Sequence, residues 1–263
     1  MNIVVCVKQV PDPEQPASNL RVDANGRRVT GDPNVRPVIN GYDENAVEAA
    51  LKLKEAEGGT VSILSVGSER ARDVIKHALS MGADNGYIVE DAAFNEADPW
   101  MIASALGAAI RNIGDTDLVL CGRQASDDDN GQVGPTLAEV LGLPCVTVLR
   151  AMQAQDGGLR VEQVIPDGFR AFQVPLPAVL SISNEYGKPR YPTTRGIMLA
   201  ARKQITAWSA AELGLGPEAL KPRLQHVRYF IPARESRVEF ITGETLEEAG
   251  EKLALRLREE KLI

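Results

Sequence analysis

Residues 117–149, DLVLCGRQASDDDNGQVGPTLAEVLGLPCVTVL, contain the pattern that decides the fold. The apolar run at 117–122 predicts a strand that ends in a turn, residues 131–141 predict a helix, and CVTVL at 145–149 predicts a second strand. A polar loop rich in glycine and aspartate separates the first strand from the helix. Strand, helix and strand in this order are typical of a parallel sheet.

The sequence on both sides of this unit repeats the same alternation. Short apolar runs predict strands, and segments with apolar residues at helical spacing predict helices. The predicted strands lie at 3–7, 61–66, 86–90 and 178–183, and the predicted helices at 43–57, 69–81 and 99–113. We therefore predict an α/β fold with a mostly parallel, doubly wound, Rossmann-like sheet and helices on both faces.

Two segments predict small antiparallel excursions from this sheet. Residues 21–29 alternate around Asn25-Gly26, which is a hairpin signal, and residues 159–174 form a second excursion that turns at Pro166-Asp167-Gly168.

The C-terminal part differs from the rest of the chain. From about residue 206 onward we find no alternation that extends the sheet, and the chain ends in an amphipathic helix. We therefore expect an α/β domain at 1–205 and a C-terminal arm at 206–263. An arm of roughly 60 residues is too small to hold a core alone, so we expect it to pack on its own domain or on another subunit.

Composition excludes several classes of function. The 263 residues are 44% hydrophobic and 25% charged with a net charge of -7, which gives no electrostatic support for nucleic-acid binding. No apolar run approaches the ~20 residues that span a bilayer, so we expect no membrane insertion. The first residues, MNIVVCVKQV, predict a strand and not a signal peptide, which favours a cytoplasmic protein.

The spacing of the cysteines and histidines does not indicate a metal site. Cys6, Cys121 and Cys145 stand far apart without a Cys-x-x-Cys pair, and His77 and His226 stand alone. Neither a disulfide framework nor a zinc or iron–sulfur centre is indicated.

The loop at 121–136 is the richest candidate for a binding site. It follows a strand and precedes a helix, and ligands of open α/β sheets lie beyond the carboxyl ends of the strands. The N–H groups at the start of that helix attract a phosphate. A solvated loop with helix caps is the alternative, and the residues alone do not decide between them. For Asp127, Asp128 and Asp129 we favour capping, orienting or solvated roles over catalysis.

Three other segments line the same predicted edge. They are Cys6 in the first strand, residues 40–43 at a helix start, and residues 66–68 at a strand end. Ordinary packing, capping and turn formation are the simpler roles for each of them. No nucleophile–base pair is present, so we predict a binding pocket without catalytic residues.

The chain resembles the beta subunit of electron-transfer flavoproteins over essentially its whole length. The segments that carry the resemblance are VCVKQVPD at 5–12, NGYDENAVEAALKLKE at 40–55, ALSMGAD at 78–84, DLVLCGRQASDDDNGQVGP at 117–135, LPAVLSIS at 176–183 and KPRYPTTRGIM at 188–198. The glycine–aspartate loop combined with a later Pro-Arg-Tyr is far more specific than either part alone.

The resemblance implies a heterodimer with a larger alpha subunit, which carries the redox-active FAD and on which the arm would pack. It implies AMP as a structural cofactor in this chain, and electron transfer from a flavin dehydrogenase toward a quinone oxidoreductase. The nucleotide contacts that it implies are Cys6, Asn40, Gly41, Tyr42, Asp43, Val66, Gly122, Arg123, Gln124, Ala125, Ser126, Asp127, Asp128, Asp129, Asn130, Gly131, Gln132, Val133 and Gly134.

The family's partner-recognition loop corresponds to residues 184–198. Its implied contacts with the dehydrogenase are Tyr186, Pro189, Arg190, Tyr191, Thr194 and Arg195. The family carries a leucine where this chain has Thr194, which puts an acyl-CoA dehydrogenase partner in doubt and makes Tyr186 a candidate substitute anchor.

Two alternatives remain open. In electron-bifurcating members a second FAD replaces AMP and accepts electrons from NADH. Asp128, and the absence of a threonine at 130, favour the AMP form here. The other alternative is a stand-alone regulatory module that binds adenine nucleotides, because fold alone does not define function.

Overall fold

The computed structural model describes residues 1–26, 29–30, 32, 34–232 and 238–263. Its contacts divide the chain into two units, Met1–Tyr229 and Phe230–Ile263. The first unit carries the sheet and all but one of the helices in the described residues, and the second carries the C-terminal helix.

The elements of the described residues follow the predicted alternation. The strands are β1 (Asn2–Cys6), β2 (Gln9–Val10), β3 (Arg21–Val22), β4 (Val29–Thr30), β5 (Val38–Ile39), β6 (Thr60–Val66), β7 (Asn85–Val89), β8 (Leu118–Gly122), β9 (Cys145–Gln155), β10 (Gly158–Ile165), β11 (Gly168–Val174), β12 (Ala178–Ile182) and β13 (Ile205–Trp208). The helices are α1 (Gly41–Glu57), α2 (Arg72–Met81), α3 (Pro99–Ile113), α4 (Val133–Leu141), α5 (Thr194–Arg202) and α6 (Leu246–Glu259).

One large sheet organises the first unit. Its strand order is β11-β10-β9-β12-β8-β1-β6-β7-β13. All neighbouring strands pair in parallel in the part of the sheet that runs β9-β12-β8-β1-β6-β7-β13. At the other end, β10 pairs antiparallel with both β9 and β11. The predicted α/β fold with a mostly parallel sheet is confirmed.

Successive residues of the central strands pack on opposite faces. Val5 of β1 belongs to the core cluster that contains the buried residues of α1 and α2. Val4 belongs to the cluster on the other face, with α3 and α4. This alternation follows from the two-residue period of a strand, and it explains why strands covered by helices on both faces are apolar throughout.

The antiparallel excursions are confirmed, with one extension. β3 pairs with β4, and β10 pairs with β11 through the predicted turn. Strand β9 continues to Gln155 and pairs with β10, so the second excursion has three strands.

Strand β13 corrects the prediction that nothing beyond about residue 206 extends the sheet. It pairs in parallel with β7 at the sheet edge, and Trp208 stacks on Tyr87 with ring centroids 5.2 Å apart. The two middle residues of this short strand are exposed, so it lacks the apolar run that predicts a buried strand. The first unit therefore continues to Tyr229.

Two helix starts differ from the prediction for local reasons. Helix α1 begins at Gly41 and not at Asp43, because the carbonyl of Asn40 accepts the N–H of Glu44 at 3.0 Å and so opens the helical hydrogen bonding. Helix α4 begins at Val133, because Gly131 has a left-handed φ of 62° that a helix does not accept. The predicted Asp98 cap is confirmed, with Oδ1 accepting the N–H of Met101 at 2.9 Å.

The second unit contains the predicted C-terminal helix. Thr245 caps α6 by accepting the N–H of Glu248 at 3.2 Å, and Glu248 accepts the N–H of Glu244 at 2.7 Å in return. No residue of α6 is buried. Packing of this arm on another subunit stays a prediction. Within the described part of the chain, no helix combines the length and apolarity that a bilayer crossing requires.

Candidate functional site

A cavity of about 390 Å³ lies beyond the carboxyl ends of three neighbouring strands, and we call it the inner cavity. Cys6 at the end of β1, Val66 at the end of β6 and Gly122 at the end of β8 line it. Parallel strands end at the same edge of a sheet, so residues far apart in sequence meet there. The volume is that of a small-molecule site.

Asp43 joins the segments around this cavity. Its Oδ2 accepts the backbone N–H of Lys8 at 2.8 Å, and its Oδ1 accepts the backbone N–H of Gly122 at 3.1 Å. The carboxyl is buried, and this burial raises its pKa to about 7 although both backbone donors favour the charged form. Asp43 therefore ties the first turn of α1 to the ends of β1 and β8.

Asn40 fixes the loop between β8 and α4. Its Nδ2 donates to the carbonyl of Gln124 at 2.8 Å, and its Oδ1 accepts the N–H of Ser126 at 3.2 Å. The side chain is buried, so both bonds are shielded from water. The first residue of the predicted 40–43 segment thus shapes the site through the loop.

Each of the three adjacent aspartates has a polar contact, and Asp127 and Asp128 share Lys8. Lys8 Nζ lies 2.7 Å from Asp127 Oδ1 and 3.3 Å from Asp128 Oδ2. Asp128 also accepts the N–H of Asn130 at 3.2 Å. Asp129 accepts a hydrogen bond from Gln124 Nε2 at 2.8 Å. These contacts tie the carboxylates to neighbouring parts of the loop and to Lys8, and their orienting role in the site stays a prediction.

The structure brings most of the candidate nucleotide residues together. Those that line the inner cavity are Cys6, Asn40, Asp43, Val66, Gly122, Arg123, Gln124, Ala125, Asp128, Asn130, Gly131, Gln132, Val133 and Gly134. Ser126 and Asp127 line a neighbouring cavity of about 1100 Å³, which we call the outer cavity. Gly41, Tyr42 and Asp129 line neither of the two.

Sequence reasoning missed a second group of lining residues. Lys8 follows β1, and residues 94–95 and 97–99 follow β7, the strand next to β6. The carboxyl-end rule applied to β7 would have found the latter. His226 gave no signal, because it is brought to the cavity by a segment that lies outside the strand–helix alternation.

Residues 222–229, which we call the strap, bring His226 to the cavity. The second carboxylate oxygen of Asp98 accepts the N–H of Leu224 at 2.8 Å and also that of Arg223. The Arg223 guanidinium lies 3.4 Å from the ring centroid of Trp100. Asp98 thus both caps α3 and fixes one end of the strap.

Two buried thiols face the inner cavity. Cys6 and Cys121 lie on the neighbouring strands β1 and β8. Interaction with the Cys6 thiol and burial raise the pKa of Cys121 well above its usual range. Among the residues that the structure describes, no group of three or more metal-binding side chains is assembled.

Arg190 holds the loop at 184–198, where the resemblance places partner recognition, on α1. Its Nε lies 2.8 Å from Glu48, which is buried, and its guanidinium also binds Glu55. Tyr186 is half-buried against the core, and this burial raises its pKa to about 12. Tyr191, by contrast, is 94% exposed. Tyr186 therefore contributes to the core, and Tyr191 is the aromatic ring that this loop presents to solvent.

The remaining recognition residues lie near the surface. Pro189 is half-buried, whereas Thr194 and Arg195 are exposed in the first turn of α5. Thr194 is the first residue of that helix, and Thr193 caps it by accepting the N–H of Gly196 at 3.0 Å. The exposed apolar side chains of α5 are Ile197, Met198 and Leu199.

The fold and site define an α/β protein with a cavity at the carboxyl edge of its sheet, and comparisons with known proteins identify its family. Residues 32–213 match the electron transfer flavoprotein domain family. The chain is 36% identical over 267 residues to the caffeyl-CoA reductase-Etf complex subunit CarD of Acetobacterium woodii, and it is 31% identical over 264 residues to the electron transfer flavoprotein subunit beta of Bacillus subtilis. Both alignments cover 100% of each chain. This chain belongs to the electron transfer flavoprotein family, as a beta subunit.

Proposed function

We propose that this beta subunit binds AMP in the inner cavity as a structural cofactor. With an alpha subunit that carries FAD, it transfers electrons from a flavin dehydrogenase toward a quinone oxidoreductase. The inner cavity carries this proposal: a volume of about 390 Å³ suits a mononucleotide, and its wall includes the start of α4.

The lining residues fit the parts of AMP. Backbone N–H groups near the start of α4, from Gln132 to Gly134, suit a phosphate, since the N-terminal end of a helix dipole is positive. Asn130 and Gln132 offer polar side chains for ribose or phosphate. Cys6 and Val66 supply apolar wall at the strand ends. A cofactor held this way stabilises the loop between β8 and α4 without taking part in chemistry.

The family supports a carrier role for the chain. Electron transfer flavoprotein beta subunits are electron carriers, and the working flavin of the proposed heterodimer would lie mainly on the alpha subunit. The inner cavity is lined by the buried thiols of Cys6 and Cys121 and by the Asp43 carboxyl, which binds backbone, and this lining suits a structural ligand. We further expect a cytoplasmic location, in which free cysteines persist.

Partner contacts fit two exposed surfaces. Tyr191 and the apolar side chains of α5, Ile197, Met198 and Leu199, offer a docking surface for the dehydrogenase. The second unit, with α6, is our candidate contact for the alpha subunit.

Cofactor counting tests the proposal. The chain is coexpressed with its alpha subunit, the heterodimer is purified, and AMP and flavin released by denaturation are counted per dimer. We expect one AMP and one flavin. Two flavins without AMP would refute AMP binding.

The outer cavity favours a second candidate, the electron-bifurcating form with a second FAD. It adjoins the inner cavity and has a volume of about 1100 Å³, enough for the second half of a dinucleotide. The relative from Acetobacterium woodii belongs to a caffeyl-CoA reductase-Etf complex. NADH oxidation by a heterodimer that contains two flavins would establish this form.

A further inference from the structure

The inner and outer cavities share part of their walls. Lys8, Asn95, Ala97, Asp128 and His226 line both. A ligand that fits the inner cavity stays behind these side chains, whereas a ligand that extends into the outer cavity has to pass between them. We call Lys8, Asp128 and His226 the bar.

Ion pairs hold the first two members of the bar in place. Lys8 Nζ contacts Asp127 at 2.7 Å and Asp128 at 3.3 Å. The N–H of Asn130 donates to Asp128 Oδ1 at 3.2 Å, which fixes the carboxylate relative to the loop. The Lys8 backbone is itself held by Asp43. Both side chains are therefore oriented by the loop and by β1.

The strap positions the third member, His226. Asp98 fixes residues 223 and 224, and at the other end the N–H of Tyr229 donates to the carbonyl of Gly26 at 2.6 Å. Between these anchors the Tyr229 ring stacks on His226 at a centroid distance of 5.2 Å, and its hydroxyl lies 3.1 Å from Nδ1. Tyr229 thus holds the imidazole of His226 from one side, where the inner and outer cavities meet.

We propose that the bar makes this subunit select a mononucleotide over a dinucleotide. This inference rests on the proposed function, since it assumes that the inner cavity holds the adenosine half of the ligand. It assigns a specificity role to two residues of the bar that sequence reasoning did not include, Lys8 and His226.

The charge and shape of the bar oppose a longer ligand. A dinucleotide such as FAD carries a second phosphate and a further group that the inner cavity does not hold. That phosphate would meet the carboxylate of Asp128, while the ammonium of Lys8 is already paired with Asp127 and Asp128. His226 narrows the same passage. A mononucleotide avoids both the repulsion by Asp128 and the narrow passage at His226, because its phosphate stays at the start of α4.

Competition between AMP and FAD tests the bar in the heterodimer. The protein is unfolded and refolded over a series of FAD-to-AMP concentration ratios, then desalted, and both ligands are counted per dimer. The measured quantity is the ratio at which half of the beta-subunit sites hold FAD. The variants are Asp128→Asn, which keeps the Oδ1 acceptor for Asn130, and Asp128→Asn combined with His226→Ala.

Glu69→Gln is the matched control, because it removes an exposed carboxylate that lines neither cavity. We expect the double variant to reach half-exchange at a ratio about tenfold lower than wild type, and the single variant to lie between them. The control should match wild type.

An unchanged ratio in folded Asp128→Asn, or an equal shift in Glu69→Gln, would overturn the proposed role of the bar. Failure of the proposed function gives a different result: wild-type heterodimer purified without added ligand would contain two flavins and no AMP. The shift between variants is measured independently of that outcome.

Discussion

The backbone N–H of Gly122 donates a hydrogen bond to Oδ1 of Asp43 at 3.1 Å, across 79 residues of sequence. The contact joins the end of β8 to the first turn of α1 at the wall of the inner cavity. Both residues belong to segments that the family resemblance singled out. Their contact shows that the two segments form one structural unit.

Asp43 should make stability depend on pH. Its folded-state pKa of about 7 lies above the ordinary value of 3.8, so the folded state holds a proton that the unfolded state releases in this range. The stability contributed by that proton is present below 3.8 and is lost as pH rises through about 7. Relative to Asp43→Asn, the free energy of unfolding of wild type should fall by at most about 1.4 kcal/mol per pH unit across this window. Parallel denaturant-derived profiles for the two proteins would contradict the assignment.

Gly122→Ala should destabilise the chain. A Cβ at this position would collide with the Asp43 carboxylate and lie 2.7 Å from the Asp43 backbone nitrogen. We expect a loss of about 1–3 kcal/mol in the free energy of unfolding, together with loss of bound AMP. Gly134→Ala is the matched control for folding, since its Cβ would meet Cys121 and Ser181 at 3.8 Å, an ordinary contact. Equal stability of both variants would show that the close approach at Gly122 has no consequence.

Nucleotide binding should protect two thiols from alkylation. Cys6 and Cys121 line the inner cavity, whereas Cys145 is exposed and does not line it. With AMP bound, iodoacetamide should modify Cys145 and leave the other two unreacted, as mass spectrometry of peptides would show. Partial burial of the Cys145 thiol raises its pKa to about 11, so its labelling rate should rise as pH approaches that value.

The control for this experiment is Cys145→Ser, in which any remaining label must lie on the buried pair. Removal of AMP should then increase labelling of Cys6 and Cys121 when the reaction is run at alkaline pH, since the raised pKa of Cys121 leaves little thiolate at neutral pH. Identical labelling with and without AMP would place the nucleotide elsewhere.

Substitution of Tyr191 should weaken partner binding without changing stability, whereas substitution of Tyr186 should lower stability. Tyr191 is 94% exposed, so Tyr191→Ala should leave the unfolding midpoint unchanged and raise the KM for the dehydrogenase by about tenfold if the ring is an anchor. Tyr186 packs on the core, so Tyr186→Ala should cost about 1–3 kcal/mol of stability. Dehydrogenase kinetics of Tyr191→Ala that match wild type would exclude this ring from the docking surface.

Arg190 should act by positioning the recognition loop. Arg190→Ala leaves the buried Glu48 without its guanidinium partner, and we expect about 1–2 kcal/mol of destabilisation together with slower electron transfer from the dehydrogenase. Arg190→Lys should recover only part of both, because an ammonium cannot replace the guanidinium fork. The control is exposed Lys188→Ala. Full activity in Arg190→Ala would mean that the loop keeps its position without the ion pairs.

Most of the fold could be predicted because the signals for strands, helices and caps depend on residues that are close together in the sequence. The apolar runs of β1, β6 and β8 predict strands, since these strands are covered on both faces. The Asp98-Pro99 cap predicts the start of α3 from adjacent residues. Strand β13 escaped prediction because its pairing with β7 uses backbone groups that every sequence carries.

The candidate site likewise has features that the sequence determined and others that only the tertiary structure decided. The sequence by itself determined the alternation of strands and helices, the loop at 122–134 and its place beyond a strand end, because these depend on residues close together in the chain. Only the tertiary structure decided that Asp43 binds Lys8 and Gly122, that Arg190 binds Glu48, and that His226 closes the wall that Lys8 and Asp128 begin. These contacts join residues that are far apart in sequence, and their geometry exists only once the sheet has brought its strand ends to one edge.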